Sequence, residues 1–271
     1  MILPFNPVLV AIGPWAVRWS GLLALLGLGL AVWLSVRDLR QARLSRRIAL
    51  DALAWGLPVG LLAARLVYVL GWWDYYLMHG ADLWRLDPGG LSLWGGLLGG
   101  AVVAAARLRW EPLVRRRVFD AVAPNVALGV AVGRLGQFLA GAGQGVPSDL
   151  PWATAYASPL AATPDVGVPR HPAQLYDGLV ALALFFLLSR FPSGLPAGAR
   201  FAGLLVLYGA ARVGLGLVRL EPAFLFGLQI DQLLAIGAIA FGLTYGLRPV
   251  VSSGTARRPA HTPAAEDSLA A

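Results

Sequence analysis

The chain has 271 residues, 58% of them hydrophobic and only 13% charged, with a mean hydropathy of +0.67. A soluble domain carries about a quarter charged residues, so this composition excludes a soluble globular protein and describes an integral membrane protein. The net charge of +8 comes from 22 arginines without a lysine, and the lack of cysteine excludes disulfides, thiolate metal ligands and a cysteine nucleophile of the chain's own.

Seven apolar segments follow in order, at about 17–36, 50–72, 91–106, 118–140, 173–189, 201–219 and 228–247. Each approaches the roughly 20 residues that a helix needs to cross the hydrocarbon core. Helices are predicted because lipid offers backbone polar groups no partner outside their own segment. The first segment is preceded by a nearly uncharged flank and followed by arginines, the reverse of a cleaved signal peptide. The third is short and glycine-rich. The connections alternate in charge: five arginines in "RDLRQARLSRR", one in 73–90, five in "RLRWEPLVRRR", one in 141–172, then Arg190 and Arg200, then Arg219 offset by Glu221, then Arg248, Arg257 and Arg258. The positive-inside rule places the N-terminus outside and the C-terminus in the cytoplasm. The loop arginines then face anionic lipid head groups rather than nucleic acid. The expected architecture is an all-α integral membrane protein, with seven transmembrane helices in 1–247, an outer loop at 141–172 and a disordered cytoplasmic tail at 248–271. No internal repeat is visible.

Three arginines interrupt apolar sequence: Arg65 in "LLAARLVYVL", Arg134 in "VGRLGQF" with Gln137 one turn on, and Arg212 in "LYGAARVGLGLVR". An arginine cannot shed its charge, and at the bilayer centre it costs about 2.5–3.5 kcal/mol on insertion scales. The carboxylates near these segments, Asp51, Asp120, Asp177 and Asp231, are few, so spare positive charge is expected to gather in a shared polar site that takes a bound anion. The alternative is that Arg134 and Arg212 snorkel to the outer head groups.

The long outer connection leads into "RHPAQLYDGL". There Pro172 suits a first helical turn and His171 lies near the N-cap, with Gln174, Tyr176 and Asp177 following. This reads either as a capped helix start with an interfacial tyrosine or as part of a site. The glycines of "SLWGGLLGG", among them Gly95 and Gly96, permit close helix packing, and equally the approach of a lipid head group to the backbone. Three scattered histidines and no cysteine make a poor metal-ligand set.

In this order, "AARLVYVL" with "WDYY", "GGLLGG", "GRLGQF", "DLPWA", "RHPAQLYDG", "YGAARVGLGLVR" and "DQLLAI" resemble the bacterial prolipoprotein diacylglyceryl transferases over most of residues 17–245. The resemblance implies an inner-membrane enzyme without cofactor. It would move the diacylglyceryl group of phosphatidylglycerol onto the lipobox cysteine thiol of a prolipoprotein, with glycerol phosphate leaving. Arg134, Arg212 and Arg219 would bind the lipid phosphate, with Tyr208, Gln137, Gly95, Gly96, Gln174 and Tyr176 around them. The nucleophile would be the substrate's thiol, which fits a chain without cysteine.

The chain departs from the family pattern where histidine, asparagine and glutamate are usual: Trp94 stands before the double glycine, Gln137 follows the glycine–arginine motif, and Ala140 and Ala142 come next. Ser20 replaces an aromatic hydroxyl and Gly216 a glutamate. Indole cannot accept a proton. The proton acceptor is therefore expected to be His171, then Asp177. The other readings are a non-catalytic homologue that binds anionic phospholipid or a lipoprotein precursor, and a transferase with a different donor or acceptor. A transporter lacks the repeat that alternating access uses.

Overall fold

The computed structural model describes residues 1–4, 6–12, 15–42, 44, 46–84, 90–192 and 194–247. The tail expected at 248–271 lies outside them. The helices are α1 (Trp19–Gln41), α2 (Arg46–Gly71), α3 (Trp73–Met78), α4 (Leu93–Arg107), α5 (Pro112–Ala140), α6 (Ala173–Ser189), α7 (Ala199–Leu215) and α8 (Ile230–Leu247), with a 3-10 turn at Gly80–Trp84. Each of the seven predicted segments falls on one long helix. The six-residue α3 is an addition within the connection after α2.

Two expectations need correction. The protein is mostly rather than wholly helical: β1 (Ile2–Leu3) pairs in parallel with β4 (Ala155–Tyr156), and β2 (Val8–Ile12) pairs antiparallel with β3 (Trp15–Arg18). These strands belong to the N-terminal segment and the 141–172 connection, where extended chains find each other as backbone partners. The sixth segment also stops early. Helix α7 ends at Leu215 rather than continuing to 219, because Gly214 and Gly216 are poor helix formers. Arg219 therefore sits on the α7–α8 connection.

By length and composition, Trp19–Gln41, Leu50–Gly71 and Pro112–Ala140 are long and apolar enough to cross a membrane. Helices α4, α6 and α8 are apolar but shorter. Leu25, Leu62, Val102 and Leu179 are 71%, 70%, 68% and 65% exposed on the helix exteriors, the surface a lipid-facing bundle presents.

Glycines bring the helices together. A Cβ at Gly27 of α1 would lie 2.5 Å from the Gly129 carbonyl oxygen of α5, and one at Gly129 would lie 2.8 Å from that of Gly27. On α2 and α4 the seam is Gly56, Gly60, Gly96 and Gly100, where a Cβ at Gly60 would lie 3.0 Å from the Gly96 oxygen. This is the small-residue spacing by which membrane helices gain van der Waals contact. The central core joins Trp94 of α4, Ala127 and Val130 of α5, Ala181 and Leu184 of α6, Leu204 and Tyr208 of α7 and Ala235 of α8. Away from the outer loop, Asp120 accepts the Gly198 and Phe201 amides at the start of α7, and Asp51 pairs with Arg107 through two 2.8 Å bonds. Those two carboxylates are structural.

Candidate active site

Four helix ends meet beside the 141–172 connection: Arg134 lies in the last two turns of α5 and Arg212 in the last turn of α7, while Asp177 lies in the first two turns of α6 and Asp231 in the first turn of α8. Carboxylates near helix N-termini are favourable to the helix dipole. The buried polar chain begins with Ser92 at the N-cap of α4. Its hydroxyl accepts the Gly95 amide and donates to Asp231 Oδ1 at 2.8 Å. Arg212 Nη2 donates to Asp231 Oδ2 at 2.8 Å and to Glu221 Oε1 and Oε2 at 3.0 and 2.9 Å. Arg219 Nε donates to Glu221 Oε1 at 2.7 Å, and Arg219 Nη1 lies 3.8 Å from Asp177 Oδ2. Asp177 meets Arg134 Nη2 at 2.8 Å and accepts the Tyr208 hydroxyl at 2.7 Å. Arg134 Nη1 donates to Gln137 Oε1 at 2.6 Å. Arg212 and Asp177 are both 0% exposed.

This network corrects the expectation of spare charge. Within it, three guanidiniums meet three carboxylates, because Glu221 folds back from the connection where it was counted only as an offset to Arg219. What remains unfilled is hydrogen-bonding capacity. Arg134 Nε, Arg212 Nε and Nη1, and Arg219 Nη1 are buried without a hydrogen-bond acceptor from the described residues. Unfilled donors at that depth are costly, and charged ones more so. Glu221 feels both effects: burial raises its carboxyl, but Arg219 and Arg212 outweigh burial and hold it at about 2.

A cavity of about 250 Å³ adjoins the network. Arg134, Gln137, Arg219, Glu221, Gln229 and Asp231 form its polar wall, facing Val67, Tyr68 and Trp72 of α2 and its end. Arg212 lies behind this wall, with Glu221 and Asp231 in front of it.

Other expected site residues go elsewhere. Arg65 does not join the network; it donates to the carbonyls of Asp82, Leu83 and Gly90, which turn back over the end of α2. Gly95 and Gly96 pack against α2, where a Cβ on Gly95 would lie 2.7 Å from Val67 Cβ and one on Gly96 3.4 Å from Ala64 Cβ. Gln174 is fully buried and donates to the Tyr156 hydroxyl at 3.3 Å. Burial raises the Tyr156 phenol above its ordinary range. His171 lies outside the cavity lining, its Nδ1 3.4 Å from the Tyr176 hydroxyl, which also accepts from Trp152 at 2.7 Å. Trp94 is 1% exposed and stacks on Tyr208 at 5.5 Å, so the residue at the family's histidine position supports the tyrosine that holds Asp177.

Sequence reasoning missed Glu221, Ser92 and Gln229 as members of the site. A Ser three residues before a glycine amide at a helix start was a legible cap signal for Ser92. For Glu221 the available signal was adjacency to Arg219 in "VRLEP".

A mostly helical membrane bundle with a buried arginine–carboxylate network at one end is the class that this fold and site define. Within that class, the family model for prolipoprotein diacylglyceryl transferase matches residues 7–247, and the chain belongs to that family. A protein of Nitrosomonas europaea named phosphatidylglycerol–prolipoprotein diacylglyceryl transferase is 38% identical over 253 residues, covering 88% of each chain. Proteins of the same name from Burkholderia thailandensis and Burkholderia mallei are 37% and 36% identical over 280 residues, covering 88% of this chain and 93% of theirs.

Proposed function

We propose that this chain transfers the diacylglyceryl group of phosphatidylglycerol to the cysteine thiol of a prolipoprotein lipobox. The observation that carries the reading is the set of guanidinium donors on Arg134, Arg212 and Arg219 that no protein group accepts, buried beside a polar-walled cavity in a chain of this family. In the reaction the substrate's thiolate attacks the glyceryl carbon bonded to the phosphodiester oxygen. A C–S bond forms, the C–O bond breaks, and glycerol phosphate leaves with one more negative charge than the diester carried. Fixed guanidiniums in a site shielded from water stabilise that developing charge by several kcal/mol. Arg134 and Arg219 face the cavity and take the phosphate. Asp177 and Tyr208 orient Arg134, and Gln137 holds its second amino group. Asp177 is committed to Arg134 and Tyr208, which leaves His171, outside the cavity lining and beside the Tyr176 hydroxyl that accepts from Trp152, as the group proposed to take the thiol proton.

The membrane arrangement we propose has α1, α2 and α4–α8 spanning the inner membrane. The alternating arginine content of the connections supports an outside N-terminus and the site at the outer leaflet, where the 141–172 connection lies. Expression in a bacterium depleted of its own transferase tests the function, with lipid attachment to a lipobox peptide followed by mass spectrometry. A diacylglyceryl mass gain that needs Arg134 and Arg212 is expected. Absence of the gain from folded, inserted protein favours a lipid-binding homologue without catalysis, the reading that the loss of the family's histidine to Trp94 supports.

A further inference from the structure

Of the three carboxylates in the network, two are anchored in helices. Asp177 is fully buried on α6, and Asp231 sits in the first turn of α8, held by Ser92. Glu221 differs. It lies on the α7–α8 connection, its side chain is 21% exposed, and it lines the cavity. Its two oxygens accept from Arg212 and Arg219, the arrangement that two non-bridging phosphate oxygens adopt between a pair of guanidiniums. Behind it Arg212 is 0% exposed and keeps two donors unfilled. An anion in the cavity reaches Arg134 and Arg219 directly, whereas Arg212 is covered by Asp231, fixed on α8, and by Glu221, on the connection.

The neighbouring backbone shows what is tied to the rest of the bundle and what is exposed. Val218 and Arg219 are pinned: the Val146 amide donates to Val218 O at 2.9 Å, and Gln229 Nε2 donates to Gly216 O and Arg219 O. From Pro222 to Gly227 the chain is exposed, with Phe226 at 89% and at φ 53° in a tight turn closed between Leu225 and Leu228. Glu221 stands where the pinned part ends.

We propose that Glu221 is an internal counter-anion that occupies the phosphate position on Arg212 and Arg219 in the empty site, and that an incoming lipid phosphodiester displaces it, residues 220–228 carrying it outward and uncovering Arg212. This rests on the reading that the arginines bind the lipid phosphate. Glu221 is then a positioning residue: it keeps two buried guanidiniums apart from each other's field until substrate arrives, and it lowers the apparent lipid affinity by the fraction of time it fills the site.

The test uses the full chain in phosphatidylcholine nanodiscs, titrated with short-chain phosphatidylglycerol. E221Q keeps the side-chain shape but removes the competing charge. It should melt at a lower temperature without phosphatidylglycerol and bind it about tenfold more tightly, the gain expected if Glu221 fills the site nine-tenths of the time. Unchanged or weaker affinity in folded E221Q, with wild-type binding lost in R212L, overturns the counter-anion while leaving the arginine site standing. Binding by wild type that R134L and R212L leave intact removes the arginine site itself, and this proposal with it. A second measurement needs no change at Glu221. The chain has no cysteine, so spin labels at Ala223→Cys and at exposed Leu66→Cys on α2 report the segment directly. Their distance should shift when phosphatidylglycerol is added and not when phosphatidylcholine is; an unchanged distance with lipid bound refutes the displacement.

Discussion

Asp177→Asn removes one charge from the middle of the network while keeping the side-chain shape and the oxygen that accepts the Tyr208 hydroxyl. Asp177 is 0% exposed, 2.8 Å from Arg134 Nη2 and 3.8 Å from Arg219 Nη1. A pair with charge centres about 4 Å apart interacts by roughly 4 kcal/mol at an effective dielectric near 20. That agrees with the roughly 3–5 kcal/mol lost when one partner of a buried pair is removed and the other stays charged. Arginine does not relieve the loss by deprotonating. At roughly 2–4 °C per kcal/mol for a chain of this size, the variant should melt about 10 °C below wild type in phosphatidylcholine nanodiscs. Adding phosphatidylglycerol should recover part of the difference, because the phosphate supplies the anion that the network has lost. A melting temperature within about 2 °C of wild type would refute the account of Asp177 as the charge that stabilises buried Arg134. Recovery by phosphatidylcholine equal to that by phosphatidylglycerol would refute the electrostatic origin of the effect.

Further outcomes follow from the same geometry. Arg134→Leu and Arg212→Leu should each lower lipid attachment to a lipobox peptide at least about a hundredfold, since one oriented donor to a developing oxyanion is worth roughly that in rate; mass spectrometry of single-turnover reactions measures it. Glu221 should make stability pH-dependent in one window. Its folded value of about 2 lies below its ordinary 4.5, so its contribution is complete above pH 4.5 and is lost as pH falls from there toward 2. Acid unfolding of E221Q should lack that step. Gly60→Val should destabilise the α2–α4 seam by about 1–3 kcal/mol, because a Cβ at Gly60 already lies 3.0 Å from the Gly96 oxygen; thermal melting reads it. Trp94→Ala should cost about 3–5 kcal/mol through the cavity left against Tyr208, read by the same melting experiment.

The sequence by itself determined that the chain belongs in a membrane, the positions of the seven long helices among the described residues, and the order of motifs that ties it to its family. Those properties are local: apolar run length, arginine content of connections, and residues near one another along the chain. The helix positions for 173–189 and 228–247 needed no tertiary information, since each run has an unambiguous polar boundary. The strand pairing of Ile2–Leu3 with Ala155–Tyr156 was invisible, because its partners are some 150 residues apart and neither segment has a strand pattern long enough to read. The end of α7 was misjudged because apolar residues continue past Gly216 although the helix does not.

At the site, sequence singled out Arg134 and Arg212 by their cost in lipid, and only tertiary structure decided what answers that cost. Glu221, nine residues beyond Arg212, turns back to it because the connection reverses direction at the bundle end. Asp177 reaches Arg134 and Asp231 reaches Arg212 because neighbouring helices bring a C-terminal end beside an N-terminal one. Arg65 looked like its two counterparts in sequence, yet it caps backbone carbonyls of its own connection. Charge balance in a buried site depends on which groups come within a few ångströms in three dimensions, and spacing along the chain does not carry that information.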